Sequence, residues 1–168
     1  MPHREPLVET VPGLHPVAVI VNGAARTTEV AGWELLVECL RDRFRLTGCR
    51  MACETTSCGA CTVLFDGESV KSCTVLAVQA HGHEVTTVEG LASPGQMHPL
   101  QEAFRRRHAL QCGYCTPGML LAAVSLLASD GPLDEAAVRN GLKGNLCRCT
   151  GYQNIVDAVL DVAEIGTA

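Results

Sequence analysis

The chain has 168 residues, 47% of them hydrophobic, and a mean hydropathy of +0.17, which is enough apolar material for one ordinary domain or two small ones. A formal net charge of -5 and an aromatic content of 4% argue against a nucleic-acid groove, which needs clustered basic side chains and stacking surfaces. The acidic balance fits a protein partner better.

The first half of the chain is predicted to form several strands and one helix. Residues 1–16 carry four prolines and no periodicity, which predicts an extended arm. Beyond it, alternating apolar runs flank an Asn-Gly and an Asp-Gly pair, the favoured dipeptides of tight hairpins. The predicted elements are strands at 17–21 and 26–30, a helix at 34–44, and strands at 62–65, 69–72 and 84–88.

The second half is helical throughout. Residues 91–99 are rich in Gly, Ser and Pro and predict a linker between a domain at 17–90 and an all-α domain at 100–168. The predicted helices are 100–110, 116–129, 134–140 and 153–165. The fold class is therefore α+β, with a strand-rich unit followed by a four-helix bundle.

The ten cysteines are the unusual feature of the composition. Residues 1–6 show neither an apolar signal core nor a twin-arginine motif, so we expect a cytoplasmic location and reduced thiols. The longest apolar stretch, 119–128, is shorter than the roughly 20 residues that cross a bilayer. We expect it to be a buried helix and expect no transmembrane segment.

Four cysteines of the first half have the spacing of plant-type ferredoxins. Cys53, Cys58 and Cys61 form C-x4-C-x2-C, and Cys73 follows downstream. Thiolates suit the soft centre of a [2Fe-2S] cluster, and a loop lets three sulfurs of one short segment surround it. Gly59 allows backbone N–H groups to approach the sulfurs. A four-cysteine zinc site is the alternative, although zinc ligands usually come as two C-x2-C pairs.

The second half supplies another set of four thiols: Cys112, Cys115, Cys147 and Cys149. Each pair precedes a predicted helix, and we expect Thr116 and Thr150 to be the capping residues. Two helix N-termini near one point favour an anion, and a [2Fe-2S] cluster held by four thiolates is a dianion. A four-thiolate zinc site carries the same charge, so spacing and charge alone leave zinc open here.

With both cysteine sets in place, the chain resembles the small iron-sulfur subunits of the molybdenum hydroxylases. This xanthine oxidase family includes aldehyde oxidoreductases, aerobic carbon monoxide dehydrogenase, and quinoline and nicotine dehydrogenases. The resemblance runs from about residue 17 to residue 162. Its motifs are LTG at 46–48, CGACTV at 58–63, KSCT at 71–74, QCGYCTPG at 111–118 and GNLCRCTGY at 144–152.

The resemblance implies two [2Fe-2S] clusters, the first in a β-grasp domain and the second in the helical domain. The implied ligands are Cys53, Cys58, Cys61 and Cys73 for the first cluster, and Cys112, Cys115, Cys147 and Cys149 for the second. It also implies that Gln111 and Cys149 hydrogen-bond molybdopterin. Electrons would pass from molybdenum through the helical cluster and the ferredoxin-like cluster to FAD.

The implied partners are a large molybdopterin-binding subunit and a medium FAD-binding subunit, assembled as a dimer of heterotrimers. The chain has no dinucleotide-binding or Walker motif, so we expect no catalytic residue and no substrate site on it. The alternative functions are a free-standing carrier with two clusters and a zinc-bound interaction module.

Some residues depart from the family pattern or suggest other chemistry. Ala52 stands where the family usually has Gly, and a positive φ there would cost roughly 1–2 kcal/mol. Cys39 and Cys49 are extra thiols, which we interpret as small buried side chains rather than ligands. The histidines of 81–83 and the arginines of 105–107 are interpreted as solvated or partner-facing groups.

Overall fold

The computed structural model describes residues 13–93, 95–129 and 131–166. Most of the predicted arm, residues 1–12, lies outside this part of the chain. The strands are β1 Leu14–Val21, β2 Ala24–Ala31, β3 Thr62–Phe65, β4 Glu68–Lys71 and β5 Glu84–Thr86. The helices are α1 Leu36–Glu38, continued by a π-helical turn at Cys39–Arg43, α2 Pro99–Arg106, α3 Thr116–Ala128, α4 Glu135–Gly141 and α5 Gln153–Gly166.

The five strands form one mixed sheet in the order β2-β1-β5-β3-β4. β1 and β5 are parallel and the other neighbours are antiparallel. Both predicted hairpins are confirmed. Asn22 and Gly23 have φ angles of 52° and 74°, and Asp66 and Gly67 have 50° and 89°, the two successive positive values of a type I′ turn.

Four strands have other bounds than those predicted. β2 is longer by two residues at its start and by one at its end, and β4 begins and ends one residue earlier. β1 begins at Leu14, inside the predicted arm, because β2 extends to Ala31 and gives it a backbone partner. β5 ends at Thr86, two residues early, because the chain then forms a 3-10 turn over Val88–Gly90. The residues that matter for the core follow the expected alternation, with every second side chain from Val17 to Val21 buried.

The predicted helix at 34–44 is present in the same place but is wider than a regular α-helix in its second half. The N–H of Phe44 donates to the carbonyl of Cys39, five residues back, at 3.2 Å. Leu36 and Leu40 on its inner side are buried at 1% and 0% exposure. The helix stops at Arg45, whose φ of 60° cannot continue it.

The four predicted helices of the second half are all present. α2 ends at Arg106, four residues before the predicted end, because His108 adopts a φ of 52° and turns the chain. Asp134 caps α4, and its Oδ1 accepts the N–H of Ala137 at 2.7 Å. The chain is thus an α+β protein with its strands in the first half and four helices in the second half of the described part.

Each half has its own group of buried apolar side chains. Val30, Leu36 and Val63 belong to the first, and Phe104 and Ile155 belong to the second. The halves meet where α3 packs on β3. Within the described ranges, every helix is too short or too polar to cross a membrane.

Candidate metal centres

The loop between the π-helical turn and β3 brings the first three cysteines together. Backbone N–H groups approach their sulfurs: Cys58 N is 3.4 Å from Cys53 Sγ, and Ala60 N is 3.5 Å from Cys58 Sγ. The loop turns tightly because Thr56 and Gly59 have φ angles of 58° and 71°. The N–H of Cys58 and its thiol lower the pKa of Cys53 to about 6. These contacts therefore favour the thiolate of Cys53, the form that binds iron.

Cys73 joins this set from a 3-10 turn, Ser72–Thr74, that directly follows β4. Pairing of β3 with β4 brings the turn next to Cys61, whose carbonyl accepts the Ser72 hydroxyl at 2.7 Å. Burial raises the pKa of Cys73 to about 12, and the neighbouring thiol of Cys61 adds to this. The thiols of Cys53 and Cys58 are neighbours, as are those of Cys61 and Cys73, and all four lie close enough to influence one another.

The second set also consists of two contacting pairs. The sulfurs of Cys112 and Cys149 lie 3.5 Å apart, and the thiols of Cys115 and Cys147 contact each other. Burial raises the pKa of Cys115 to about 12. The N–H of Tyr114 is the main reason that the pKa of Cys112 is lowered. The structure therefore brings together the cysteines that the sequence assigned to each site.

Two contacting pairs of thiols match a binuclear cluster, because each iron of a [2Fe-2S] centre takes two cysteine ligands. A single zinc ion instead needs its ligands gathered around one point. In the portion of the chain that the structure describes, no three His, Cys, Asp or Glu side chains are grouped as for one metal ion. Four sulfur donors in neighbouring pairs fit the cluster.

The predicted helix caps beside the second site are wrong in detail. Cys115, not Thr116, occupies the N-cap position of α3, so Thr116 lies in the first turn with Pro117. The Thr116 hydroxyl is buried and has no hydrogen-bond partner among the described residues. Thr150 accepts the N–H of Tyr152 at 3.2 Å, but Tyr152 has a φ of 72° and precedes α5, so this bond shapes the loop rather than the helix.

Gln111 and Cys149, the predicted pterin contacts, lie side by side. Gln111 Nε2 donates to the carbonyl of Cys149 at 3.1 Å. Both residues are exposed, as is Cys112. The second set of thiols therefore has one open face, whereas Cys61 in the first set is buried.

The two cysteine loops share a junction that the sequence reasoning missed. The carbonyl of Gly59 accepts hydrogen bonds from Asn145 Nδ2 at 2.9 Å and from Thr62 Oγ1 at 2.8 Å. Leu146 N donates to the carbonyl of Cys58 at 2.8 Å. The only signal in the sequence was a polar residue, Asn145, immediately before the apolar Leu146 and the last cysteine pair.

The close packing at this junction explains why positions 59 and 118 are glycines. A Cβ on Gly59 would lie 2.4 Å from the carbonyl oxygen of Gly144, and a Cβ on Gly118 would lie 2.3 Å from the carbonyl oxygen of Gly59. Both distances are far inside van der Waals contact. The first cysteine loop therefore contacts the backbone of the helical half on two sides.

The extra thiols are buried, as predicted. Cys39 and Cys49 are 1% and 2% exposed, and burial raises the pKa of each to about 11. Cys49 Sγ lies 3.2 Å from Ser72 Oγ, beside the first set of four thiols but not one of them. Ala52 does not have a positive φ, so the alanine there carries no backbone strain of the kind considered above.

The other polar candidates have structural contacts. His83 Nδ1 lies 2.6 Å from Asp66 Oδ2. Arg106 and Arg107 both form ion pairs with Asp161, which joins α2 to α5. His81 Nδ1 accepts the N–H of Ala18 at 3.2 Å.

Comparison with known proteins gives consistent matches. Residues 87–160 match the family model of the [2Fe-2S] binding domain. The chain is 52% identical over 151 residues to the nicotine 6-hydroxylase small subunit of Paenarthrobacter nicotinovorans, covering 89% of this chain and 91% of that one. It is 48% identical over 152 residues to the caffeine dehydrogenase subunit gamma of Pseudomonas sp. strain CBB1, with the same two coverages.

The solved structures agree with these matches. A crystal structure of quinoline 2-oxidoreductase from Pseudomonas putida 86 superposes with a TM-score of 0.88 at 45% sequence identity. The match covers 92% of this chain and 97% of that one.

Proposed function

This chain belongs to the small iron-sulfur subunits of the molybdenum hydroxylases, and from that premise we propose which residues hold its clusters and what it contacts. The first [2Fe-2S] cluster is held by Cys53, Cys58, Cys61 and Cys73. The second is held by Cys112, Cys115, Cys147 and Cys149. The observation that carries the assignment is the arrangement of each set as two contacting pairs of thiols.

When bound, these clusters supply one-electron redox chemistry, and the chain transfers electrons for an oxidoreductase complex. The residues of the chain hold the donors in place and limit access of water. At the first set, Cys61 is buried, and the N–H groups directed at Cys53 and Cys58 stabilise negative charge on their sulfurs. In this proposal, bonds to the substrate are made and broken on the molybdopterin-binding subunit.

The partners in this proposal are a large subunit with molybdopterin and a medium subunit with FAD, in a dimer of heterotrimers in the cytoplasm. Gln111 and Cys149 contact the pterin, which their exposure and their 3.1 Å hydrogen bond support. The open side of the second set thus faces molybdenum. Electrons pass from there to the first set and on to FAD.

We also propose two domains: a β-grasp unit at 17–90 and a four-helix unit at 100–168, joined by 91–99. The separate groups of buried side chains in the two halves support this division. Residues 14–16, which the prediction assigned to the arm, belong to β1, and residues 1–12 lie outside the described part of the chain.

Metal analysis of the purified complex tests the cluster assignment. Iron and acid-labile sulfide should each approach about four per chain, the number for two [2Fe-2S] centres. Cys149→Ser should remove the paramagnetic signal of the second cluster on reduction and lower activity. A complex with zinc and no iron, or a Cys149→Ser variant with both signals and full activity, would contradict the proposal.

A further inference from the structure

A groove of 630 Å³ opens between α2, the loop 110–116 and the segment 96–97. Its apolar lining consists of Val88, Met97, Phe104, Leu110, Pro117 and Leu120. Met97 and Leu110 are 43% and 40% exposed. Large apolar side chains exposed beside a concave surface are typical of a binding site.

The same groove is positively charged in an acidic chain. Arg50 and Arg105 line it, and no aspartate or glutamate does so in the described part of the chain. Arg50 contacts neutral groups: Nη1 donates to the carbonyl of Gly113 at 2.9 Å, and Cζ lies 5.1 Å from the Tyr114 ring centre. Arg105 is exposed and forms none of the described ion pairs, unlike Arg106 and Arg107, which follow it in the chain.

Neither Arg50 nor Arg105 therefore forms an ion pair with a carboxylate of the described residues. The chain as a whole has a formal charge of -5, so this face differs in sign from the average surface. Opposite charge on a partner would be attracted to this face and repelled elsewhere.

The groove lies next to the second thiol set, whose Cys112 is exposed. Leu110 and Gly113 in its lining flank Gln111 and Cys112 in the sequence. Next to them Tyr114 is 43% exposed, and its hydroxyl donates to the carbonyl of Met51, itself 39% exposed. This region thus combines exposed cysteines, exposed apolar groups and two arginines that form no ion pair with the described residues.

We propose that this groove binds a segment of the molybdopterin-binding subunit in which an apolar side chain is flanked by Asp or Glu. The apolar side chain fills the space against Phe104 and Leu110, and the carboxylate pairs with Arg105 and Arg50. This inference rests on the proposed function, since that subunit is the one placed beside Gln111 and Cys149. Exposed apolar anchors with basic groups at the rim are common features of protein interfaces.

The contribution of the arginine charges to binding can be tested by titrating the full chain, loaded with its clusters, into the purified molybdopterin-binding subunit. Arg105→Glu should raise the Kd at least tenfold and weaken its dependence on salt. Arg26→Glu, at an exposed position on β2, changes the net charge equally and should alter the Kd less than twofold. Met97→Ser should also raise the Kd. Its matched control is Ile20→Ser, because Ile20 is 44% exposed and lies outside the groove.

A photo-crosslinking residue at position 97 in the assembled complex identifies the occupant. The expected product is a peptide of the molybdopterin-binding subunit with Asp or Glu within about three residues of the crosslink. Crosslinks to the FAD-binding subunit, to a second copy of this chain or to no protein would overturn the inference, as would equal Kd values for Arg105→Glu and Arg26→Glu. If such a complex still contains four irons per chain and transfers electrons, the inference alone fails. If it contains no iron, the proposed function fails.

Discussion

Gly118→Ala tests the contact between α3 and the first cysteine loop. The new Cβ would lie 2.3 Å from the carbonyl oxygen of Gly59 and 3.3 Å from the backbone of Ala60, whereas Cβ contacts below 3.0 Å are essentially never observed. The atoms in the way are backbone, so no side-chain rotation relieves the clash. Either α3 or the loop has to move.

The expected size of the effect follows from two opposing contributions. Overpacking a tightly packed contact costs typically about 1–3 kcal/mol. Alanine in place of glycine in a helix gains roughly 0.5–1 kcal/mol. The net loss in free energy of unfolding should therefore be about 1–2 kcal/mol, with additional loosening of the loop that carries Cys58.

The assay is urea unfolding of the full chain carrying its clusters, followed by helical circular dichroism and by visible absorbance. Gly144→Ala is the matched control, because its nearest neighbours beyond the adjacent residues are the end of the Lys71 side chain, at 3.8 Å and beyond. This control should stay within about 0.5 kcal/mol of the parent protein. If Gly118→Ala is as stable as Gly144→Ala and bleaches no faster, the close contact does not constrain the loop.

Three further changes probe the junction, the helix pair and the extra thiol. Asn145→Ala removes two buried hydrogen bonds and should cost about 1–3 kcal/mol in urea unfolding, whereas Asn140→Ala, at an exposed site, should cost little. Asp161→Asn breaks the ion pairs between α2 and α5 and should cost at most about 1 kcal/mol at pH 7, less at high salt; no loss at low salt would contradict this. Cys49→Ala should leave iron and sulfide content unchanged, whereas Cys73→Ala should halve both; iron loss in the first variant would make Cys49 a ligand.

The sequence predicts most of this fold because its signals are local. Asn22-Gly23 and Asp66-Gly67 need no distant contact to form their turns, and both hairpins lie where they were expected. The helices of the second half follow from apolar spacing alone. Helix ends were less well predicted, since the end of α2 depends on the backbone of His108, which spacing does not encode.

The grouping of the thiols was predictable from spacing and family resemblance, but the contacts around them were not. The roles of Asn145 and Ser72 depend on where another segment of the chain passes, far away in sequence. The prediction that Thr116 caps α3 was wrong. Thr and Pro are both common at helix starts, and the Thr116-Pro117 pair does not distinguish the N-cap position from the first turn.

The glycine contact at α3 has a consequence for efforts to obtain a smaller redox module. Cutting the chain at the linker would strip β3 and the first cysteine loop of the helix that now covers them, leaving the carbonyls of Cys58 and Gly59 without the donors at Leu146 and Asn145. An excised N-terminal fragment would need new polar side chains on that face before it could serve as an independent ferredoxin.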